Sequence, residues 1–158
     1  MQTEQPLSLS AIFAANRARG AVTFDVHLQD GRTRRRQLHE SGSLRVRFPS
    51  PEDHGLSAMF VNTAGGAAGG DRFDIDIAAG AGTRLTMSTA AAEKIYRALE
   101  PAATIDVKLT VDTGAALAWL PQETILFDRC RLRRSIEVDL ADDARLLLSE
   151  ATVFGRSG

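Results

Sequence analysis

Three stretches of this chain repeat one pattern at intervals of about thirty residues. In the first, Phe73, Ile75 and Ile77 alternate with their neighbours, and Gly82 and Leu85 follow. In the second, Ile105, Val107 and Leu109 alternate, with Gly114 and Leu117 after them, at an offset of 32. In the third, Ile136, Val138 and Leu140 alternate, and Val111-x-x-Gly114-Ala115-x-Leu117 superposes on Leu140-x-x-Asp143-Ala144-x-Leu146 at an offset of 29. Alternation with period two marks a strand with one buried face. Each unit therefore reads as strand, tight turn, strand. Such a period predicts a mainly β fold of stacked units, either a β-solenoid or a two-layer β architecture. An ordinary antiparallel sandwich has similar hairpin spacing, and periodicity alone does not separate the two.

The chain has 158 residues, of which 44% are hydrophobic and 25% charged, enough for one domain with a buried core. No run of 18 apolar residues is present, so a transmembrane helix is not expected. Met1 to Ser10 carry no basic n-region, which gives no sign of a secretory signal and makes the cytoplasm the default compartment. Cys130 is the single cysteine, which excludes an intrachain disulfide and a multi-cysteine metal site. The net charge of −1 leaves no global basic field for nucleic acid or an anionic membrane. Arginine supplies 17 of the 19 basic residues, beside Lys94 and Lys108. Genome composition explains that bias most simply; a preference for forked contacts at interfaces is the functional reading.

Residues 1–19 read as a weakly structured lead-in, with a short helix available over Ala11 to Arg19, and residues 20–158 as one β-rich domain. Residues 20–48 read as two strands, one carrying Val22, Phe24, Val26 and Leu28, the other Leu44, Val46 and Phe48. Asp30-Gly31 is a hairpin signal, and Pro49 and Pro51 end the second strand. Thr89 to Glu100 has high helix propensity and stops before Pro101, so one or two short helices are expected in all. Thr124 to Phe127 is another strand, and Leu146 to Val153 reads as a strand still in progress, so the chain is expected to stop inside its domain with an unpaired sheet edge.

Chemistry-bearing motifs are sparse. Gly65, Gly66, Gly69 and Gly70 fall within six residues and invite a phosphate-loop reading. Walker A needs Gly-Lys-Ser/Thr, yet Asp71-Arg72 follow Gly70, and the dinucleotide fingerprint needs a helix where a strand is expected. A tight corner between packed β-layers fits better. His27, His39 and His54 lack ligand spacing, and Cys130 has no placed partner. No Gly-x-Ser-x-Gly elbow is present. Asp71, Glu93, Glu123 and Glu150 are scattered, and Glu123 and Glu150 sit beside apolar strands, where a buried carboxylate needs a partner or a water path. The basic runs Arg32 to Arg36 and Arg129 to Arg134 lack interleaved aromatics and read as solvated faces or a protein interface.

Several blocks together carry a resemblance. Val61-Asn62-Thr63-Ala64-Gly65-Gly66-Ala67-Ala68-Gly69-Gly70-Asp71-Arg72 resembles the GG-x-x-GGD block of the urease accessory protein UreD (UreH) family. Leu85 to Arg97 resembles its threonine-rich block ending in Lys-x-Tyr-Arg, here Lys94, Tyr96 and Arg97. Trp119-Leu120-Pro121-Gln122-Glu123 is similar to its Trp-Leu-Pro-Gln-Glu block. Glu150 with Phe154-Gly155-Arg156 resembles its Glu-x-x-x-x-Gly-Arg block, and Gly42 to Pro49 its Leu/Arg-rich strand ending in proline. Met87-Ser88 stands where a Thr-Thr pair is common, and the family continues past the Gly-Arg block, so this chain resembles its N-terminal part.

The resemblance implies a β-rich scaffold rather than an enzyme. It implies binding to UreF, and through UreF to the GTPase UreG, docking on apo-urease, and help in delivering nickel. It implies no stably bound cofactor; nickel would be in transit along an internal water-filled path. Weak oxygen ligands suit such a path. Asp71, Glu123 and Glu150 are the candidate carboxylates, with Thr86, Ser88 and Thr89 as neutral liners, against the simpler expectation of structural ion pairs with Arg72, Arg97 or Arg156. Two other classes stay open: a β-rich binding module unrelated to nickel, and a hydrolase using Glu123 with a second carboxylate.

Overall fold

The computed structural model describes residues 16–49 and 55–156. In chain order its strands are β1 (Arg19–Gln29), β2 (Arg32–Gly42), β3 (Leu44–Arg47), β4 (Leu56–Asn62), β5 (Arg72–Ala79), β6 (Arg84–Thr89) and β7 (Glu93–Ile95). They continue as β8 (Ala103–Val111), β9 (Ala116–Leu120), β10 (Thr124–Phe127), β11 (Leu132–Leu140), β12 (Arg145–Leu148) and β13 (Thr152–Arg156). They form three walls. The first has the order β11-β8-β5-β1-β2, the second β12-β9-β6-β4-β3, and the third β13-β10-β7. Each turn of chain from β5 onward gives one strand to each wall, and neighbouring turns pair in parallel. This is a three-walled β-solenoid, and its parallel pairing rules out the antiparallel sandwich.

The sequence repeat is the strand register. Phe73 pairs Ile105, Ile75 pairs Val107 and Ile77 pairs Leu109, the offset of 32. Val111 pairs Leu140, the offset of 29. The corner between first and second walls recurs as well: Thr83, Ala115 and Ala144 each donate their amide to the carbonyl three residues back. Gly82 and Gly114 take positive φ there, 70° and 64°, and in the last coil Asp143 accepts the Gly114 amide at 3.0 Å.

At the other end β2 and β3 run antiparallel to β1 and β4 and cover the first coil. Asp30 and Gly31 both have positive φ (51° and 70°), the two-residue turn that matches the twist of a hairpin. Residues 20–48 thus hold three strands rather than two, because Arg32–Gly42 pairs along the whole of β1 despite its charge. The arginines suit an edge strand, which must resist further pairing. At the far end β11, β12 and β13 are the edges, and Leu140, Leu147 and Phe154 are exposed along them.

The expected helix over Thr89 to Glu100 is absent, and no helix occurs among the described residues. Non-local pairing overrides the local propensity: β7 pairs with β10, the Ala67 amide donates to the Lys94 carbonyl, and the Tyr96 amide donates to the Ala67 carbonyl. The Ala11 to Arg19 helix lies mostly outside the described residues; Arg19 itself opens β1. The last expected strand is two, because Ser149 to Ala151 turn the corner from the second wall to the third.

The lumen is the core. Phe24, Phe73, Ile77, Met87, Ile95, Leu109, Leu117 and Trp119 are buried in it. Phe60 meets Trp119 with ring centroids 5.7 Å apart.

Candidate functional site

The glycine-rich segment serves the first coil as its third-wall strand. Ala67 bridges Ile95 in parallel, so the loop passes against β7. At Gly66 (φ 140°) a Cβ would lie 2.5 Å from Tyr96 Cε2 and 2.8 Å from the Lys94 carbonyl oxygen. At Gly69 it would lie 2.5 Å from Ala98 Cβ. Close backbone approach therefore demands both glycines. The Tyr96 hydroxyl donates to the Gly65 carbonyl at 3.0 Å, and its ring packs on Phe127. The segment's amides at Gly65, Ala67, Ala68 and Gly70 are all taken by protein acceptors.

Behind this thin third wall lies a cavity of about 380 Å³. Thr89 to Lys94, Pro121, Gln122 and Thr124 close it on one side, and Phe60, Phe73, Ile105 and Trp119 on the other. Asn62, Glu93, Lys94, Gln122 and Arg134 are among the polar side chains that interrupt its apolar lining. Asn62 Nδ2 donates to Glu93 Oε1 at 3.2 Å. Arg134 Nε donates to Glu150 Oε2 at 2.9 Å, and its Nη2 to Glu150 Oε1. Trp119 Nε1 donates to that same Oε1 at 3.0 Å. Two pairs, Asn62 with Glu93 on the first and second coils and Arg134 with Glu150 on the last, thus make up a polar file whose Glu150 end is exposed to solvent.

The two carboxyls are tuned in opposite directions. Burial pushes Glu93 above the ordinary glutamate range, against the Asn62 hydrogen bond and the Arg134 charge. Burial pushes Glu150 up too, but hydrogen bonds from Arg134 and Trp119 and the guanidinium charge outweigh it and hold its pKa below that range.

The sequence candidates divide by position. Glu150 is in the file, partnered by Arg134 rather than by Arg72 or Arg97. Thr89 lines the cavity, donating to the Ala91 carbonyl and accepting the Gln122 amide at 2.9 Å. Thr86 and Ser88 alternate with buried Leu85 and Met87, which turns them to the outer face of the second wall. Asp71 is buried and ties chain segments together: its oxygens accept the Ala18 and Ala68 amides, both at 2.8 Å. Glu123 sits at the corner before β10, and its carbonyl accepts the Glu93 amide. Lys94 and Arg97 are exposed, Arg97 bridging Cys130. Gly155 takes positive φ (79°) within β13, and Arg156 pairs with Phe127. Arg72 pairs with Asp74 and Asp106 on the outer face of the first wall. His54 lies outside the described residues.

The sequence does not assign Arg134 and Glu93 to the interior. Arg134 falls 29 residues after Ile105, at an inward place in the first wall, although it belongs to the basic run Arg129 to Arg134. Glu93 falls in the stretch of high helix propensity, whereas the alternation of β7 puts it on the same face as Ile95. No group of three or more His, Cys, Asp or Glu side chains is placed to hold a metal among the described residues. Nor is any helix among them long and apolar enough to cross a membrane.

Fold and site together define a β-solenoid protein whose packed lumen carries a file of polar side chains between coils. A profile of the UreD urease accessory protein family matches residues 18–158. The chain belongs to that family. It is 66% identical over 157 residues to "Urease accessory protein UreD 3" of a Bradyrhizobium species, covering 99% of this chain and 56% of that one. It is 69% identical over 151 residues to a UreD of Rhodopseudomonas palustris, covering 96% and 53%. With a UreD of Bradyrhizobium diazoefficiens the identity is 66% over 148 residues, covering 94% and 54%. The chain thus spans about half the length of the curated relatives it matches.

Proposed function

We propose that this chain works in urease maturation as a non-enzymatic cytoplasmic scaffold. It binds UreF, and through UreF the GTPase UreG, docks on apo-urease, and passes nickel along its lumen. The observation that carries this reading is the polar file of Asn62, Glu93, Arg134 and Glu150 beside a cavity with a mainly apolar lining. Burying such groups is costly, and a packed core gains nothing from them. A passage for a divalent cation needs them. It must offer oxygen ligands too few to trap the ion, and two carboxylates on different coils meet that requirement better than a His or Cys cage. Glu93, desolvated and pushed toward its neutral form, gains most from a passing cation.

The test is deletion of the gene in its source organism, complemented with wild type or with Glu93→Gln and Glu150→Gln together. Urease subunits are followed by blot and their nickel by elemental analysis, and UreF is pulled down with the tagged wild type. Deletion is expected to leave subunits present but nickel-poor, wild type to restore the metal and capture UreF, and the double variant to restore less at limiting nickel. Unchanged urease nickel after deletion overturns the proposal.

A further inference from the structure

Charge is unevenly spread along this solenoid. Residues 16–49 carry eight arginines against three carboxylates (Asp25, Asp30 and Glu40), although the whole chain stands at −1. Asp25 already accepts the Arg36 Nε at 2.8 Å, and Glu40 lies 3.5 Å from Arg47. Arg32 and Arg34 are exposed on β2 and make no ion pair among the described residues. Arg35 lies over Phe48, 5.3 Å from the ring centroid, in a groove that Thr33, Arg34 and Leu56 also line. The Arg84 amide donates to Thr33 Oγ1 at 2.9 Å, which sets a further exposed arginine beside them. These arginines stand on a free sheet edge: β2 pairs with β1, and no strand among the described residues pairs its other side. An antiparallel pair turns alternate N–H and C=O groups away from the partner strand, so β2 presents unpaired backbone groups. The register shift between Asp25 and Val26 makes Arg36 the extra residue of a bulge, which places the regular stretch of this edge at Arg32 to Arg35.

We propose that the Arg32 to Arg35 edge of β2 docks an extended, acidic segment of a partner protein, which adds to the first wall as a further strand. Arg32 and Arg34 stand two residues apart on one face, so the fitting segment carries carboxylates at alternate places. Apolar residues between them face the side of Thr33 and Arg35, where Phe48 and Leu56 line the groove. Arginines on an edge deter a neutral or basic strand and admit one that brings the opposite charge, so the edge is selective rather than sticky. Exposed Asp76, Glu137 and Asp139 on β5 and β11 of the same wall set like charge in the way of a nucleic acid lying across it. A short strand held by backbone hydrogen bonds and two forked contacts suits it better. This site is separate from the luminal file and does not depend on the nickel reading.

The probe is a short fluorescein-labelled peptide of alternating glutamate and valine with blocked ends, titrated with the purified chain at low salt and read by anisotropy. It is expected to bind, and binding should slow amide exchange in β2. Arg32→Gln/Arg34→Gln, its fold verified by far-UV circular dichroism, should bind about fivefold more weakly. Two further peptides need no variant. One of glutamine and valine lacks the charge, and one with proline in place of the central valine keeps the charge but cannot complete a ladder; neither should bind. The proposal is overturned if the acidic peptide does not bind, if the proline peptide binds as tightly, or if the folded arginine variant keeps the affinity. A single-stranded oligonucleotide that binds more tightly than the acidic peptide would assign the arginines to nucleic acid and overturn it as well. Urease nickel after gene deletion bears on none of these outcomes, so the docking site and the maturation role stand or fall apart from each other.

Discussion

Replacing Glu150 by glutamine isolates the charge in the luminal file. The new side chain keeps an oxygen for Trp119 Nε1 but removes the anion that Arg134 faces. The side chains of Arg134 and Glu150 retain 21% and 25% of their exposure, so the pair is neither a surface pair nor a buried one. Exposed pairs contribute about 0–1 kcal/mol, and breaking a fully buried one costs about 3–5. Discounted for that residual solvent, the loss at pH 7 is about 1–2 kcal/mol, or roughly 3–6 °C in Tm for a chain of this size. The sign with pH follows from the depressed carboxyl. A group held below its unfolded value contributes stability that is full above the unfolded pKa, about 4.3 for glutamate, and lost as pH falls through the folded one. The gap between wild type and variant should stay constant from pH 7 to about pH 5 and narrow below about pH 4. Urea unfolding at stepped pH with an unchanged m-value measures it. A gap below about 0.3 kcal/mol at pH 7, or one that persists undiminished to pH 3, refutes the reasoning. Adding Arg134→Met to Glu150→Gln should recover part of the loss, because no unpaired cation remains.

Two further outcomes follow from the same geometry. Glu93→Gln should move stability the other way: burial raises the Glu93 pKa, so its ionised form destabilises the fold as pH rises through the window above the unfolded value. The variant should be more stable than wild type at pH 7 and equal to it near pH 4, and a less stable variant at pH 7 would contradict this. Gly66→Ala should cost more than about 2 kcal/mol, from strained φ and contact with the Lys94 carbonyl, whereas Gly65→Ala, with positive φ but open space, should cost about 1; equal Tm losses would show that close approach is not what requires Gly66.

Much of the solenoid was legible because a stacked fold writes its register into the chain. Phe73 over Ile105, and Val111 over Leu140, were readable as offsets before any strand was paired. Parallel against antiparallel was not, since both produce alternation with the same period. The helix expected over Thr89 to Glu100 failed because propensity is local, whereas β7 exists through Ala67 on one side and β10 on the other. That error hid Glu93. Arg134 was hidden differently. Alternation counted from Ile136 backward reaches it, but a charged residue beside Arg131 and Arg133 reads as solvated unless the register of Ile105 is imposed on it. The same alternation could have turned Thr86 and Ser88 outward, since Leu85 and Met87 are the apolar members of β6.

The position of the cavity has a physical cause in the unequal walls. The first and second walls have five strands each, running to 11 residues in the first (β1 and β2) and to 7 in the second (β4). The third has three strands of 3, 4 and 5 residues, with the glycine segment as a fourth layer. Short strands supply few inward side chains, so the lumen is least filled behind them. There the glycines bring backbone against Tyr96 and β7, Pro121 and Gln122 turn the chain into β10, and Gly155 lies within β13. Parts of the sequence blocks that carry the family resemblance thus build this thin wall. In a solenoid each inward place touches mainly its neighbours in adjacent coils, so single apolar members can be exchanged for Glu93, Arg134 or Asn62 without disturbing distant packing. A polar file assembled from separate coils, behind the wall with the least packing to lose, is the arrangement by which this fold can hold charge inside and remain folded.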